Sequence, residues 1–136
     1  MSQLACDIVT PQAKLFSEDV YTVIVPGIEG EMGFLEGHAP LVSALSDGVV
    51  RLRTEAGADM RSFALQGGYV EVTGEKVIVL ADRACPVEDI DVEKVTVEAA
   101  EAKAALESLS ADDAAAAATL QRAVLWCEVQ LKAAQV

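Results

Sequence analysis

Few residues in this chain could carry chemistry: one histidine (His38), three cysteines (Cys6, Cys85 and Cys127) and a glycine cluster (Gly27, Gly30, Gly33 and Gly37). A histidine base in a hydrolytic triad needs a nucleophile presented on a sharp strand-to-helix turn, and nothing around His38 has that form. His38 therefore reads as a structural or interface residue. The cysteines are odd in number and far apart, with no C-x-x-C pair and no zinc spacing. With a single histidine they make no metal site, and they read as reduced, buried thiols of a cytoplasmic protein. A phosphate-cradling loop of the form G-x-x-x-x-G-K-S/T requires a lysine at the phosphates. Here the glycines are interleaved with Glu29, Glu31 and Glu36, which would repel an anion. The glycines then serve backbone geometry, and the loop reads as a rigid, acidic docking edge. No catalytic residue, metal or cofactor is expected, and binding is the activity that remains.

The elements that must position this loop fall into two halves with different periods. From Leu4 to about Ala84, short apolar runs are broken by turn residues. Val20-Tyr21-Thr22-Val23-Ile24-Val25 reads as one β-branched strand ending at Pro26. Val50 and Leu52 alternate with Arg51 and Arg53, Phe63 and Leu65 with Ser62 and Ala64, and Val70 and Val72 with Glu71 and Thr73. Gly74-Glu75 turns the chain into Lys76-Val77-Ile78-Val79-Leu80, and Gly67-Gly68 reads as a bulge or bend. No helical crossover separates these runs, so they predict a sandwich of mainly antiparallel sheets over residues 1–85.

From Pro86 to the end, residues 86–136 change to a helical period. Val92, Val95, Ala99, Ala102, Leu106 and Leu109 form one seam; Ala117, Leu120, Val124, Cys127, Leu131 and Ala134 form another. Asp91 suits the N-cap of the first helix and Ser110 that of the second, with Asp112 and Asp113 near its positive end. Two such helices joined by a tight turn predict an antiparallel αα-hairpin, giving an α+β, mainly β, chain. The seams are alanine-rich and remove little apolar area from water, so an isolated hairpin of this kind is marginal. Leu125, Trp126 and Val129 lie off the seam and need cover, either from the sandwich or from a partner.

The chain has 136 residues, 52% of them apolar, and a formal charge of −12. That charge argues against tracking a nucleic-acid backbone and against insertion at an anionic lipid surface. The opening Met1-Ser2-Gln3-Leu4-Ala5-Cys6-Asp7 lacks the basic and apolar regions of a signal segment, and no apolar run approaches the ~20 residues of a membrane span.

Gly30-Glu31-Met32-Gly33-Phe34-Leu35-Glu36-Gly37-His38-Ala39-Pro40-Leu41 strongly resembles the G-E-x-G-x-x-P-G-H-x-P-L segment of the F-type ATP synthase epsilon subunit, of bacterial type. Val9-Thr10-Pro11 with Leu15-Phe16-Ser17, Phe63 through Val72, and Val77-Ile78-Val79-Leu80-Ala81 resemble further segments of that family in the same order. The resemblance implies a ten-stranded β-sandwich followed by the αα-hairpin. It also implies a non-catalytic rotor subunit on the cytoplasmic face of the bacterial inner membrane, coupling the membrane c-ring to the gamma subunit and the catalytic head of a proton-translocating synthase. Carried over by position, Glu29, Gly30, Glu31 and Met32 would meet the c-ring, and Thr10, His38 and Ser43 the gamma subunit.

The family's hairpin lies down on the sandwich or extends toward the catalytic alpha and beta subunits and blocks ATP hydrolysis. In some members the folded hairpin binds ATP as a regulatory ligand. The matching positions here are Asp91, Lys94 and Arg122; lysine stands where the family motif has arginine, so a planar bidentate fork is absent, and Trp126 stands where another cation would be. From Ala111 onward only Arg122 and Lys132 are basic, which predicts a weak inhibitor. Glu36 replaces the family's proline. The competing reading is a free-standing β-sandwich ligand-binding module that dimerises through its hairpin; the epsilon-like reading expects a monomer in isolation.

Overall fold

The computed structural model describes residues 3–135; Met1 and Ser2, part of the opening read above for a signal segment, and Val136 lie outside the described residues. Ten strands form two five-stranded sheets. In chain order the strands are β1 (Leu4–Val9), β2 (Lys14–Val20), β3 (Thr22–Gly27), β4 (Gly30–Phe34), β5 (Leu41–Ala44), β6 (Gly48–Arg53), β7 (Arg61–Gln66), β8 (Tyr69–Val72), β9 (Lys76–Leu80) and β10 (Arg83–Pro86). The first sheet runs β2-β1-β9-β8-β5 and the second β10-β7-β6-β3-β4.

Alternation decides the inner faces. Leu4, Cys6 and Ile8 of β1, Val23 and Val25 of β3, Val50 and Leu52 of β6, Phe63 and Leu65 of β7, Val70 and Val72 of β8, and Val77 and Val79 of β9 are all buried in one core. Phe16 and Phe63 meet edge to face inside it, with ring centres 5.8 Å apart.

Two expectations need correction. The stretch from Val20 to Val25 is not one strand: Val20 ends β2 and Thr22 begins β3, so the chain changes sheet at Tyr21. Pro26 then lies within β3. The pairings are mainly antiparallel, as expected, with β1 parallel to β9 because these two strands meet as neighbours without a hairpin between them. The second helix is capped by Asp113, whose carboxylate accepts the Ala116 N–H at 3.1 Å; Ser110 instead closes the preceding turn by accepting the Asp112 N–H.

Helix α1 (Val92–Glu107) starts at Asp91, whose carboxylate accepts the Lys94 N–H. Helix α2 (Ala114–Ala133) returns antiparallel to it. Val95 and Ala99 pack with Cys127 and Leu131, as the seam periodicity implies, and Ile90, ahead of the helix, joins them. Val92 departs from that seam and is 49% exposed, because α1 has only just begun there. The hairpin lies down on the outer face of the second sheet, with α2 across β7 and β6. Gln66, fully buried, donates from Nε2 to the Arg122 carbonyl at 3.0 Å, and Arg122 pairs with Asp82 at 3.2 Å. Among the described residues no helix is long and apolar enough to cross a membrane, and no group of three His, Cys, Asp or Glu could hold a metal ion.

Candidate binding surfaces

The acidic loop is the β3–β4 turn. Gly30 has φ of +127°, a conformation open to glycine, and a Cβ on Gly27 would fall 2.6 Å from the Gly30 carbonyl oxygen and 2.8 Å from Met32 Cε. These constraints make the turn tight and leave Ile28 and Glu29 exposed at its tip. Arg51 Nη2 on β6 donates to both carboxylate oxygens of Glu31, at 2.9 and 2.8 Å, which fixes one acid while Glu29 stays free in solvent. Met32 packs partly against the core. Gly27 to Met32 line a cleft of about 470 Å³ together with Val42, Ser43 and Ala44 of β5. Glu29, Gly30, Glu31 and Met32 are thus brought together, and Ser43 lies beside them.

Thr10 and His38 lie elsewhere. Thr10 closes the β1–β2 turn: its N–H and hydroxyl both bond the Ala13 carbonyl. It lines a cleft of about 330 Å³ with Gly68, Tyr69, Leu80 and Asp82. His38 lies between β4 and β5, its ring edge-on to Phe34 with centroids 4.8 Å apart. Its Nδ1 is 2.7 Å from the Ala39 carbonyl, which makes Nδ1 the protonated nitrogen. Among the described residues no nucleophile or carboxylate is bonded to this ring, so packing is what the geometry gives it. The loop that lacks the family proline is tied instead by Glu36, which accepts the Gln3 N–H at 3.2 Å, and by the Gly37 N–H to Gly74 carbonyl bond of 2.9 Å.

The outer face of the first sheet carries a surface the motif search passed over. Pairing aligns Ala44, Tyr69, Leu80 and Val9 in one row, and Val42, Glu71, Ile78 and Asp7 in the next. Val42, Tyr69 and Leu80 are 70%, 59% and 45% exposed. The hairpin covers the other sheet and leaves this face bare. A signal was present: Val77-Ile78-Val79-Leu80 is apolar at every position, so both faces of β9 are apolar. At the polar side of the face, the Asp7 carboxylate accepts the Ser17 hydroxyl at 2.7 Å and pairs with Lys76 at 3.2 Å and Lys14 at 3.7 Å. The Ser17 bond first, then the two lysines, outweigh partial burial and hold this carboxyl below the usual aspartate range.

Asp91, Lys94 and Arg122 each have a local partner. Asp91 is spent on the helix cap, Lys94 faces Glu98 at 3.9 Å, and Arg122 pairs with Asp82. Trp126 lies with Thr10, Gln12 and Arg83 in a further cleft. Of the off-seam strip, Trp126 and Val129 are half-buried toward the sandwich and Leu125 is 46% exposed.

Comparison with known proteins agrees with this architecture. Residues 3–87 match the family model described as ATP synthase, Delta/Epsilon chain, beta-sandwich domain. The ATP synthase epsilon chain of Dehalococcoides mccartyi is 44% identical over 112 residues, covering 82% of this chain and 76% of that one. The epsilon chain of Granulibacter bethesdensis is 33% identical over 135 residues, covering 99% of both. A chain of the Euglena gracilis mitochondrial ATP synthase, seen by cryo-electron microscopy in an assembly with OSCP, F1 and the c-ring, superposes with a TM-score of 0.78 at 28% identity, over 100% of this chain and 83% of that one. With its sandwich matched by the family model and its whole length matched by epsilon chains, the chain belongs to the ATP synthase delta/epsilon family.

Proposed function

We propose that this chain is a non-catalytic rotor-stalk subunit that grips two partners at once: the gamma subunit on the bare face of the first sheet, and the c-ring at the β3–β4 turn. The observation that carries the reading is the exposed patch of Tyr69 and Leu80 in one row and Val42 in the next on a rigid sheet, with Thr10 beside Tyr69. An uncovered apolar face with a polar margin is what a tight protein partner would remove from water. The tight, acidic turn at Glu29 to Met32 suits basic loops, where charge complementarity sets encounter rate and register. Transmission of torque requires both grips to be stiff, and both lie on sheet or on a glycine-locked turn rather than on the hairpin.

Work of this kind takes place at the cytoplasmic face of a bacterial inner membrane, with the chain held there by protein partners. The hairpin, docked through a few polar contacts and modest apolar area, is a weak regulator of ATP hydrolysis at most; the local partners of Asp91, Lys94 and Arg122 argue against ATP as its ligand. The test is co-expression with the gamma subunit of the same synthase. A stable one-to-one complex on size exclusion is expected, with the chain alone running as a monomer. A homodimer that ignores gamma would refute the proposal and favour the ligand-binding module.

A further inference from the structure

A groove of about 430 Å³ runs between α2 and the outer face of the second sheet. Its floor is apolar: Pro26 and Val49 from the sheet, Leu125 and Val129 from the helix. Its rim carries Glu31, Asp47 and Glu128 against Lys132. Glu31 also lines the cleft that holds the rest of the β3–β4 turn, so turn and groove form one continuous surface divided by a single side chain.

We infer that the ring-facing surface does not end at the turn but continues onto α2 of the docked hairpin, and that this groove receives a basic loop of the ring with aliphatic flanks. The inference rests on the ring contact proposed above and adds a partner for the hairpin. Charge selects the occupant. Asp47 uses its carboxylate on the backbone N–H of Gly67, at 3.0 Å, and Glu128 has only a 3.9 Å approach from Lys103, so neither is neutralised by a close ion pair. An anionic ligand meets the carboxylates of Asp47 and Glu128, with Glu31 already held by Arg51, and a second copy of this chain brings a further −12 charge. A cationic segment with methylene or aliphatic neighbours satisfies both the rim and the floor. The groove exists only while α2 lies on the sheet. Ring engagement and hairpin docking would therefore stabilise each other reciprocally, with the ring acting as a ligand for the down position.

The test is photo-crosslinking in the intact, membrane-bound synthase. Cysteines introduced singly as Glu29→Cys, Leu125→Cys and Lys94→Cys are labelled with a benzophenone maleimide and irradiated; the parent chain without an added cysteine is the blank. Glu29 reports the turn, Leu125 the groove, and Lys94 the exposed side of α1. Adducts to the ring subunit are expected from Glu29→Cys and Leu125→Cys and not from Lys94→Cys. Adding Glu128→Lys to Leu125→Cys should diminish the groove adduct and leave a Glu29→Cys adduct in place. A ring adduct from Glu29→Cys without one from Leu125→Cys overturns the inference while the ring contact stands. Loss of both removes the ring contact and the inference with it. An adduct from Leu125→Cys to a catalytic subunit also overturns it, since α2 would then lie away from the ring.

Discussion

Replacing Tyr69 by serine should weaken the grip on gamma strongly while leaving the free chain folded. Tyr69 is 59% exposed on the bare sheet face. A complete aromatic side chain buries about 150–250 Å², so a partner covering the exposed share would remove roughly 90–150 Å² from water. At about 25 cal/mol per Å² this is worth about 2–4 kcal/mol. Serine recovers little of it, which corresponds to binding about 30-fold to several hundred-fold weaker. In the free chain the residue's neighbours across the strands are Ala44 and Leu80, so truncation there costs at most about 1 kcal/mol. Isothermal titration of wild-type and Tyr69→Ser chains with purified gamma measures the first quantity, and thermal unfolding of the free chains the second. Weakening of less than about threefold with unchanged stability would refute the assignment of this face, because 90 Å² of covered aromatic surface cannot leave so small a trace.

Other outcomes follow from local geometry. Gly68→Ala should lower the melting temperature by about 10 °C or more, from a cost of about 3 kcal/mol spread over a chain of this length; its Cβ would lie 1.9 Å from the Leu80 carbonyl oxygen, at a φ of +105°. Asp7 has a lowered folded-state pKa, so its contribution is complete above the unfolded aspartate value and is lost as pH falls through the folded one. Acid unfolding of Asp7→Asn, followed by circular dichroism, should accordingly show a flatter loss of stability on that limb than wild type. Burial, with the Asp7 charge adding to it, pushes the Cys6 thiol up to about 12. At pH 8 only about one thiol in ten thousand is then ionised, and a thiol reagent should leave Cys6 untouched in the native chain and react with it after guanidinium unfolding.

Sequence and structure agreed most where the chain's own period carries the information. The alternation in β6, β7 and β8 put Val50, Leu52, Phe63, Leu65, Val70 and Val72 in the core because a strand has only two faces. The helical seams were legible for the same reason: Val95, Ala99, Cys127 and Leu131 meet as their spacing implies, while Ile90 joins them from ahead of the helix. The misreadings sit at element ends. Tyr21 breaks an apolar run that has no turn residue to mark it, and Asp113 rather than Ser110 is the cap because the helix begins only at Ala114, where the Asp113 carboxylate reaches a first-turn N–H.

By itself the sequence determined the two-part organisation, the tight acidic turn, the absence of a recognisable catalytic constellation and the likeness to epsilon chains, since these depend on residue types at short spacing. Tertiary structure alone decided which sheet the hairpin covers, and therefore which face is left for a partner. It put Thr10 beside Tyr69 on that face, tied Arg122 to Asp82, and laid α2 beside Glu31 to make a groove. Those are relations between residues far apart in the chain, fixed by strand order and by how the helix crosses the sheet, and neither is written in any local period.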